Sequence, residues 1–159
     1  MNLIKRTSFW MVTSMVMACN TDVKPGQETT ASSGNESQAA EVQVLAENRV
    51  EVIDFYGTHR CITCKAIEAN AQYTVETFFK EELKTGRVIF KTVNVDAPEN
   101  YKIAELYEAT GTALYLNVVK AGQETHIDLT EQAFENGRDK AVFSDELKFF
   151  IENELSSLN

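Results

Sequence analysis

Two cysteines three residues apart, Cys61 and Cys64, stand where an apolar strand pattern gives way to a helical one. Thiolate is the reactive form of cysteine, and a free thiol titrates near pH ~8.5. The positive end of a helix dipole and a nearby cation both favour the thiolate. Cys61 has the helix-start position for the first and Arg60 for the second. Cys64, one turn on, is placed to attack a mixed disulfide formed at Cys61. Two other readings compete. The pair can be small thiols sharing a helix face, or half of a metal site. The chain has three cysteines and two histidines, His59 and His126, so a four-ligand zinc site is poorly supplied. The strand-then-CxxC context favours redox chemistry.

The elements that must position this pair can be read on either side of it. Arg49 to Tyr56 is expected to be a strand buried on both faces, since Val50, Val52, Ile53, Phe55 and Tyr56 are β-branched or aromatic. Gly57 breaks it, and Thr58-His59-Arg60 form the loop above the helix. One long helix is expected from Cys61 to about Lys84. Its stripe is Ile67, Ala71, Val75 and Phe78 or Phe79, with Glu76 and Lys80 spaced for an ion pair and Gly86 just past its end. A strand over Arg87 to Asp96 follows. Pro98 opens a helix through about Ala109, buried by Ile103, Leu106 and Tyr107 and ended by Gly111. Ala113 to Val119 and Glu124 to Leu129 make a hairpin about Ala121-Gly122. The last helix is expected from Ser144 to Leu155, capped by Ser144 and buried through Leu147, Phe150, Ile151 and Leu155. Thr130 to Phe143 reads as ambiguous, a small insertion. Alternating strands and helices, then a hairpin and a last helix, predict an α/β sandwich on a mixed sheet.

The Val52-Ile53-Asp54-Phe55-Tyr56 strand followed by Cys61-x-x-Cys64-Lys65 resembles the thioredoxin superfamily over about residues 42–155. Asn94-Val95-Asp96, the helix ending in Tyr107, and Gly111 match in order and spacing. The resemblance implies a thioredoxin-like three-layer sandwich, a central mixed sheet flanked by helices. It implies thiol–disulfide exchange, with Cys61 attacking, Cys64 resolving and Arg60 as electrostatic aid. Asp54 matches the family's buried carboxylate behind the second cysteine. Desolvation is expected to raise its pKa and suit it to proton transfer with Cys64. Three positions depart from the family. Arg60 replaces the usual Trp, Ile62-Thr63 replaces Gly-Pro, and Ala113 stands at the cis-proline position. A non-proline cis bond costs ~2.5–4 kcal/mol, so a trans Thr112–Ala113 bond is expected, leaving the dithiol more open to soft metal ions. His59 is a candidate neighbour of the Cys61 thiolate, and His126 is expected to be far from the motif. More narrowly, the run from Phe55 to Glu68 resembles the ArsF-like family, small thioredoxin-like proteins labelled as nitrophenyl-compound nitroreductase subunits of arsenical-resistance clusters. That resemblance implies electron transfer toward nitroaromatic arsenicals.

The rest of the chain sets the context. Its 159 residues allow one ordinary domain, and 43 % apolar content supplies a core. Residues 1–18 read as a lipoprotein signal peptide, with Lys5 and Arg6 before a short apolar run too short for a comfortable membrane span. Val16-Met17-Ala18-Cys19 resembles a lipobox, so Cys19 is the expected lipidation site. Residues 19–41 are polar and expected to be a disordered tether, and 42–159 the folded domain. Lys5 and Arg6 are the only charges of the leader, so its removal takes the net charge from −9 to −11. That balance argues against nucleic acid. No nucleotide-binding glycine loop or haem-attachment histidine follows the motif, so no cofactor and no resident metal are expected. The expected protein is a membrane-anchored, periplasm-facing lipoprotein, outside the reducing cytosol. It would exchange disulfides with a protein partner and be reduced by a membrane electron donor. The alternatives are a metal- or metalloid-binding dithiol protein and a non-catalytic partner subunit.

Overall fold

The computed structural model describes residues 45–159. The expected leader, Cys19, the tether and the first residues of the domain lie outside them. The first element is the strand β1, Arg49–Tyr56, buried along nearly its whole length. A run rich in β-branched and aromatic residues forms such a strand because both faces must be covered. It is followed by α1 (Ile62–Phe78), α2 (Lys80–Thr85), β2 (Val88–Asn94), a 3-10 turn (Pro98–Asn100), α3 (Tyr101–Leu106), β3 (Ala113–Lys120), β4 (Gln123–Asp128), α4 (Thr130–Asn136) and α5 (Lys140–Ser157).

The four strands lie in the order β2-β1-β3-β4. β1 runs parallel to β2, with Asp54 beside Thr92, and antiparallel to β3, with Asp54 beside Leu114. The α1 and α5 helices cover one face through Ile67, Ala71, Val75, Phe143, Leu147 and Ile151, against Val50, Val52 and Leu116. On the other face Ala104 of α3 and Tyr107, the residue just past it, pack against Ile53, Phe55 and Val93. Helices on both faces of a central mixed sheet make the three-layer, thioredoxin-like α/β sandwich expected of the sequence. The β3–β4 hairpin turns at Ala121 and Gly122, both left-handed at φ 50° and 76°. That pair of angles is the primed turn whose twist suits a hairpin. The Asn48 side chain accepts the Ala121 N–H at 2.9 Å and holds alanine in this costly conformation.

Six local expectations are corrected. The long helix is two, because Phe79 (φ −122°, ψ 36°) turns the axis. The N–H of Phe79 still reaches Val75 O, and Leu83 N–H reaches Phe79 O, so the break loses few hydrogen bonds. It buries Phe79 to 3 % exposure and leaves Phe78 outside. The break separates Glu76 from Lys80, and Glu76 instead accepts Gln72 Nε2 at 2.7 Å. In the third helix Leu106 is exposed, and Ala104 and Tyr107 supply the buried side. That helix ends at Leu106, well before Gly111, and the left-handed residue past it is Glu108. The ambiguous stretch after β4 is the helix α4, and α5 begins at Lys140. Asp139 caps α5, accepting Ala141 and Val142 N–H at 3.1 Å each, while Ser144 is buried inside the helix.

Candidate functional site

β1 delivers the chain to the site and α1 carries it away. Gly57 to Arg60 cross the sheet's end, and Cys61 is the N-cap of α1. Its Sγ accepts the Cys64 N–H at 3.0 Å, the place a serine or aspartate oxygen takes at an ordinary helix start. The sulfur thus sits on unpaired helix N–H groups, where negative charge is favoured. Cys61 and Cys64 are joined as a disulfide with their Cα atoms 5.0 Å apart. Cys61 is exposed and Cys64 half-buried, so an incoming reagent meets Cys61 first. Ile62, between them, is 78 % exposed.

Two further elements hold this corner. Thr63 Oγ1 accepts Arg138 Nε at 3.1 Å, and Asn70 Nδ2 on the buried side of α1 donates to Gly137 O at 3.1 Å. The α4–α5 connection is thereby fastened to the first turns of α1. On the other side, Asp96 Oδ2 accepts the Thr58 N–H at 2.6 Å, and Val95 N–H reaches Tyr56 O at 2.8 Å. Those contacts pin the loop to the end of β2. The Thr58 hydrogen bonds hold the Asp96 carboxyl below the usual carboxylate range.

Asp54 has no exposed surface, and neither of its oxygens has a hydrogen-bond partner among the described residues. Burial, with the Glu68 charge nearby, pushes its pKa up from 3.8 to about 7, opposed by Arg60. The Arg60 guanidinium is spread over four neighbours. Its Nη2 donates to Cys64 O at 3.1 Å and stands 3.6 Å from Asp54 Oδ2. Nη1 is paired with Glu68, and the group lies over the Tyr56 ring, 4.6 Å from its centroid. Arg60 therefore sits against the Cys64 carbonyl and the buried acid.

Of the expected site residues, β1, the loop and α1 bring Asp54, Arg60, Cys61 and Cys64 into one corner. His59 is exposed in the loop above them. Ala113 opens β3 beside Phe55 at the same end of the sheet. His126 is elsewhere, stacked on Tyr107 at 4.0 Å between ring centroids. It adjoins a polar row, Glu51, Asn117 and Glu124, that pattern reading passes over because Glu51 interrupts an apolar strand. Sequence reasoning also passes over Glu68, Asp96 and Arg138. Glu68 lies one turn beyond Cys64, a spacing that would have found it, whereas Asp96 and Arg138 reach the site only through the fold. Among the described residues no group of three or more His, Cys, Asp or Glu side chains is placed to hold a metal ion.

No protein-family model and no curated protein matches the chain. Among solved structures, the chain is similar to the solution structure of a thioredoxin from Thermus thermophilus. The two are 24 % identical, the match covers 64 % of this chain and 73 % of that chain, and the TM-score is 0.44. The sheet order, the helices on both faces and a disulfide at the helix start after β1 make the described domain a thioredoxin-like fold carrying a CxxC pair.

Proposed function

We propose that the protein is a thiol–disulfide oxidoreductase. The observation that carries the reading is the Cys61–Cys64 disulfide at the N-terminus of α1, with Cys61 exposed and a buried acid, Asp54, in the strand beneath. In the reduced protein the Cys61 thiolate attacks a partner's disulfide, forming a mixed disulfide and releasing one partner thiolate. The Cys64 thiol gives its proton to Asp54 and attacks Cys61 Sγ. The Cys61–Cys64 disulfide forms and the second partner thiolate leaves. Two electrons pass from the dithiol to the partner, and the reverse sequence oxidises a partner dithiol. The α1 dipole favours the Cys61 thiolate, and an acid titrating near neutrality is suited to moving the Cys64 proton.

The narrower reading makes this domain a lipid-anchored, extracytoplasmic electron-transfer subunit for reduction of nitroaromatic arsenicals, recharged by a membrane donor. Its support is the residue run from Phe55 to Glu68 and the lipobox-like Val16-Met17-Ala18-Cys19.

The exchange reaction is tested with a disulfide-bonded protein and a thiol reductant. Wild type accelerates the reduction, and Cys61→Ser abolishes both turnover and covalent capture. Cys64→Ser stops turnover but accumulates a mixed disulfide at Cys61. Capture at Cys64 in Cys61→Ser protein would reverse the roles, and absence of exchange in wild type would overturn the reading.

A further inference from the structure

Among the described residues Arg60 is the cation paired with Asp54, yet it is not hydrogen-bonded to it. A guanidinium and a carboxylate normally close into a two-pronged pair with N–O distances under ~3 Å. Here Nη1 and Nη2 are engaged elsewhere, and the buried Nε has no hydrogen-bond partner among the described residues. Glu68, one turn along α1 from Cys64, takes Nη1, and the Cys64 carbonyl takes Nη2. The Tyr56 ring lies under the guanidinium. Glu68 and Arg60 are the charged groups acting on Asp54, and its neighbours in register, Thr92 on β2 and Leu114 on β3, carry none.

We propose that Glu68 is a positioning residue for thiol–disulfide exchange: it holds Arg60 as a clamp across the Cys64 carbonyl, and so keeps the Asp54 carboxylate free of an Arg60 hydrogen bond and able to accept the Cys64 proton. The clamp deepens the oxidoreductase reading and rests on it for its catalytic meaning, but its geometry does not. Without Glu68, Arg60 is free to turn onto Asp54. The resulting close pair favours ionised Asp54 and lowers its affinity for the proton released when Cys64 attacks Cys61 Sγ. The step itself is unchanged: the Cys64 S–H bond breaks, the proton goes to Asp54, and the thiolate electron pair forms the Cys61–Cys64 bond as the partner thiolate departs. A direct closure of charge on a carboxylate moves its titration by about one to three pH units.

The test is a double-mutant cycle read as the Asp54 titration midpoint, by carboxyl-carbon NMR on the oxidised full-length protein. The four proteins are wild type, Glu68→Gln, Arg60→Gln and the double variant. Glu68→Gln should lower the midpoint by about one unit or more. In the Arg60→Gln background the same change should move it much less, because the cation that would close on Asp54 is gone. Equal shifts in both backgrounds mean that Glu68 acts only through its own charge, and overturn the clamp. An unshifted midpoint in Glu68→Gln also overturns it. Single-turnover resolution of a preformed Cys61 mixed disulfide supplies the functional arm. Its pH profile should follow the midpoint down in Glu68→Gln, and a profile that stays at the wild-type position overturns the catalytic role. If wild type shows no exchange while the midpoints couple as described, the oxidoreductase reading fails and the clamp stands.

Discussion

A carboxylate with no exposed surface and no hydrogen-bond donor keeps its proton to higher pH than it would in water. Asp54 is such a group, and its pKa near 7 is a statement about stability as well as chemistry. The folded state holds the Asp54 proton between pH 3.8 and about 7, where the unfolded chain has lost it. Stability from this site is therefore fully present below the unfolded pKa and falls as pH rises through the folded value. Asp54→Asn removes the charge that burial penalises. The variant should match wild type in stability near pH 4 and exceed it at pH 8, by on the order of 2–4 kcal/mol. Urea unfolding at the two pH values checks this. The expected gain in stability comes with slower mixed-disulfide resolution, since the proposed proton acceptor is gone. A wild-type stability that rises between pH 4 and 8 by as much as that of Asp54→Asn would contradict the burial argument. Cys61 is the complementary case at the same scale. The residue is exposed and its sulfur receives a helix N–H, so the proposed nucleophile is also a helix cap.

At the scale of elements, the site depends on how α1 is seated. Its first turns face the α4–α5 connection, and Gly137 is the contact point. A Cβ added there would lie 2.7 Å from Ala133 O and 3.0 Å from both Ile67 Cγ1 and Thr63 Cγ2. Backbone and two packed side chains close that space, so the strain is not relieved by one rotamer change. Gly137→Ala should cost about 1–3 kcal/mol, read as a drop in Tm. The Thr63 and Asn70 contacts with this connection should weaken with it. An unchanged Tm would show that the connection yields freely. Other elements follow the same priority of burial over local rules. The Phe79 break costs helix regularity and places a large ring in the core. Asp139, not Ser144, starts α5, because the extra turn brings Phe143 into contact with the α1 face.

For the whole molecule, the charge is lopsided toward acid, with 24 Asp and Glu against 15 Lys and Arg. Such a balance does not by itself draw the chain to an anionic lipid surface. Among the described residues no helix is long and apolar enough to cross a membrane. The anchored reading proposed above assigns attachment to lipid on Cys19. Cys19→Ala should move the protein from the membrane fraction to the soluble fraction and abolish incorporation of a labelled fatty acid. It should leave disulfide exchange by the purified protein unchanged. Retained lipid labelling and an unchanged distribution would remove the anchored, extracytoplasmic reading while leaving the dithiol chemistry intact.

Pattern by itself settled the elements that have strong local causes. β1 was legible to the residue, because a β-branched and aromatic run between polar flanks has one stable use. The Cys61–Cys64 pair at a helix start was legible from its spacing, as was the hairpin about Ala121-Gly122, and the resemblance of the strand-plus-CxxC stretch pointed to the sandwich. Asp54 was legible as a buried acid through the same resemblance, which puts the family's buried carboxylate at that position; Glu51, interrupting the same strand, had no such pointer. The tertiary structure decided everything that joins residues distant in sequence. Asp96 reaches the loop from 38 residues away, and Arg138 reaches Thr63 from 75. Neither separation has a periodicity that a pattern can register. The neighbours of Arg60 were decided in the same way. Next to Cys61 in sequence, it reads as a cation for that sulfur. In the fold its long side chain finds a carbonyl, an aromatic face and two acids, and those contacts place it against the Cys64 carbonyl and Asp54. Short-range stereochemistry dictates strands, caps and turns, while the partners of a flexible charged side chain are set by which surfaces packing brings within its reach.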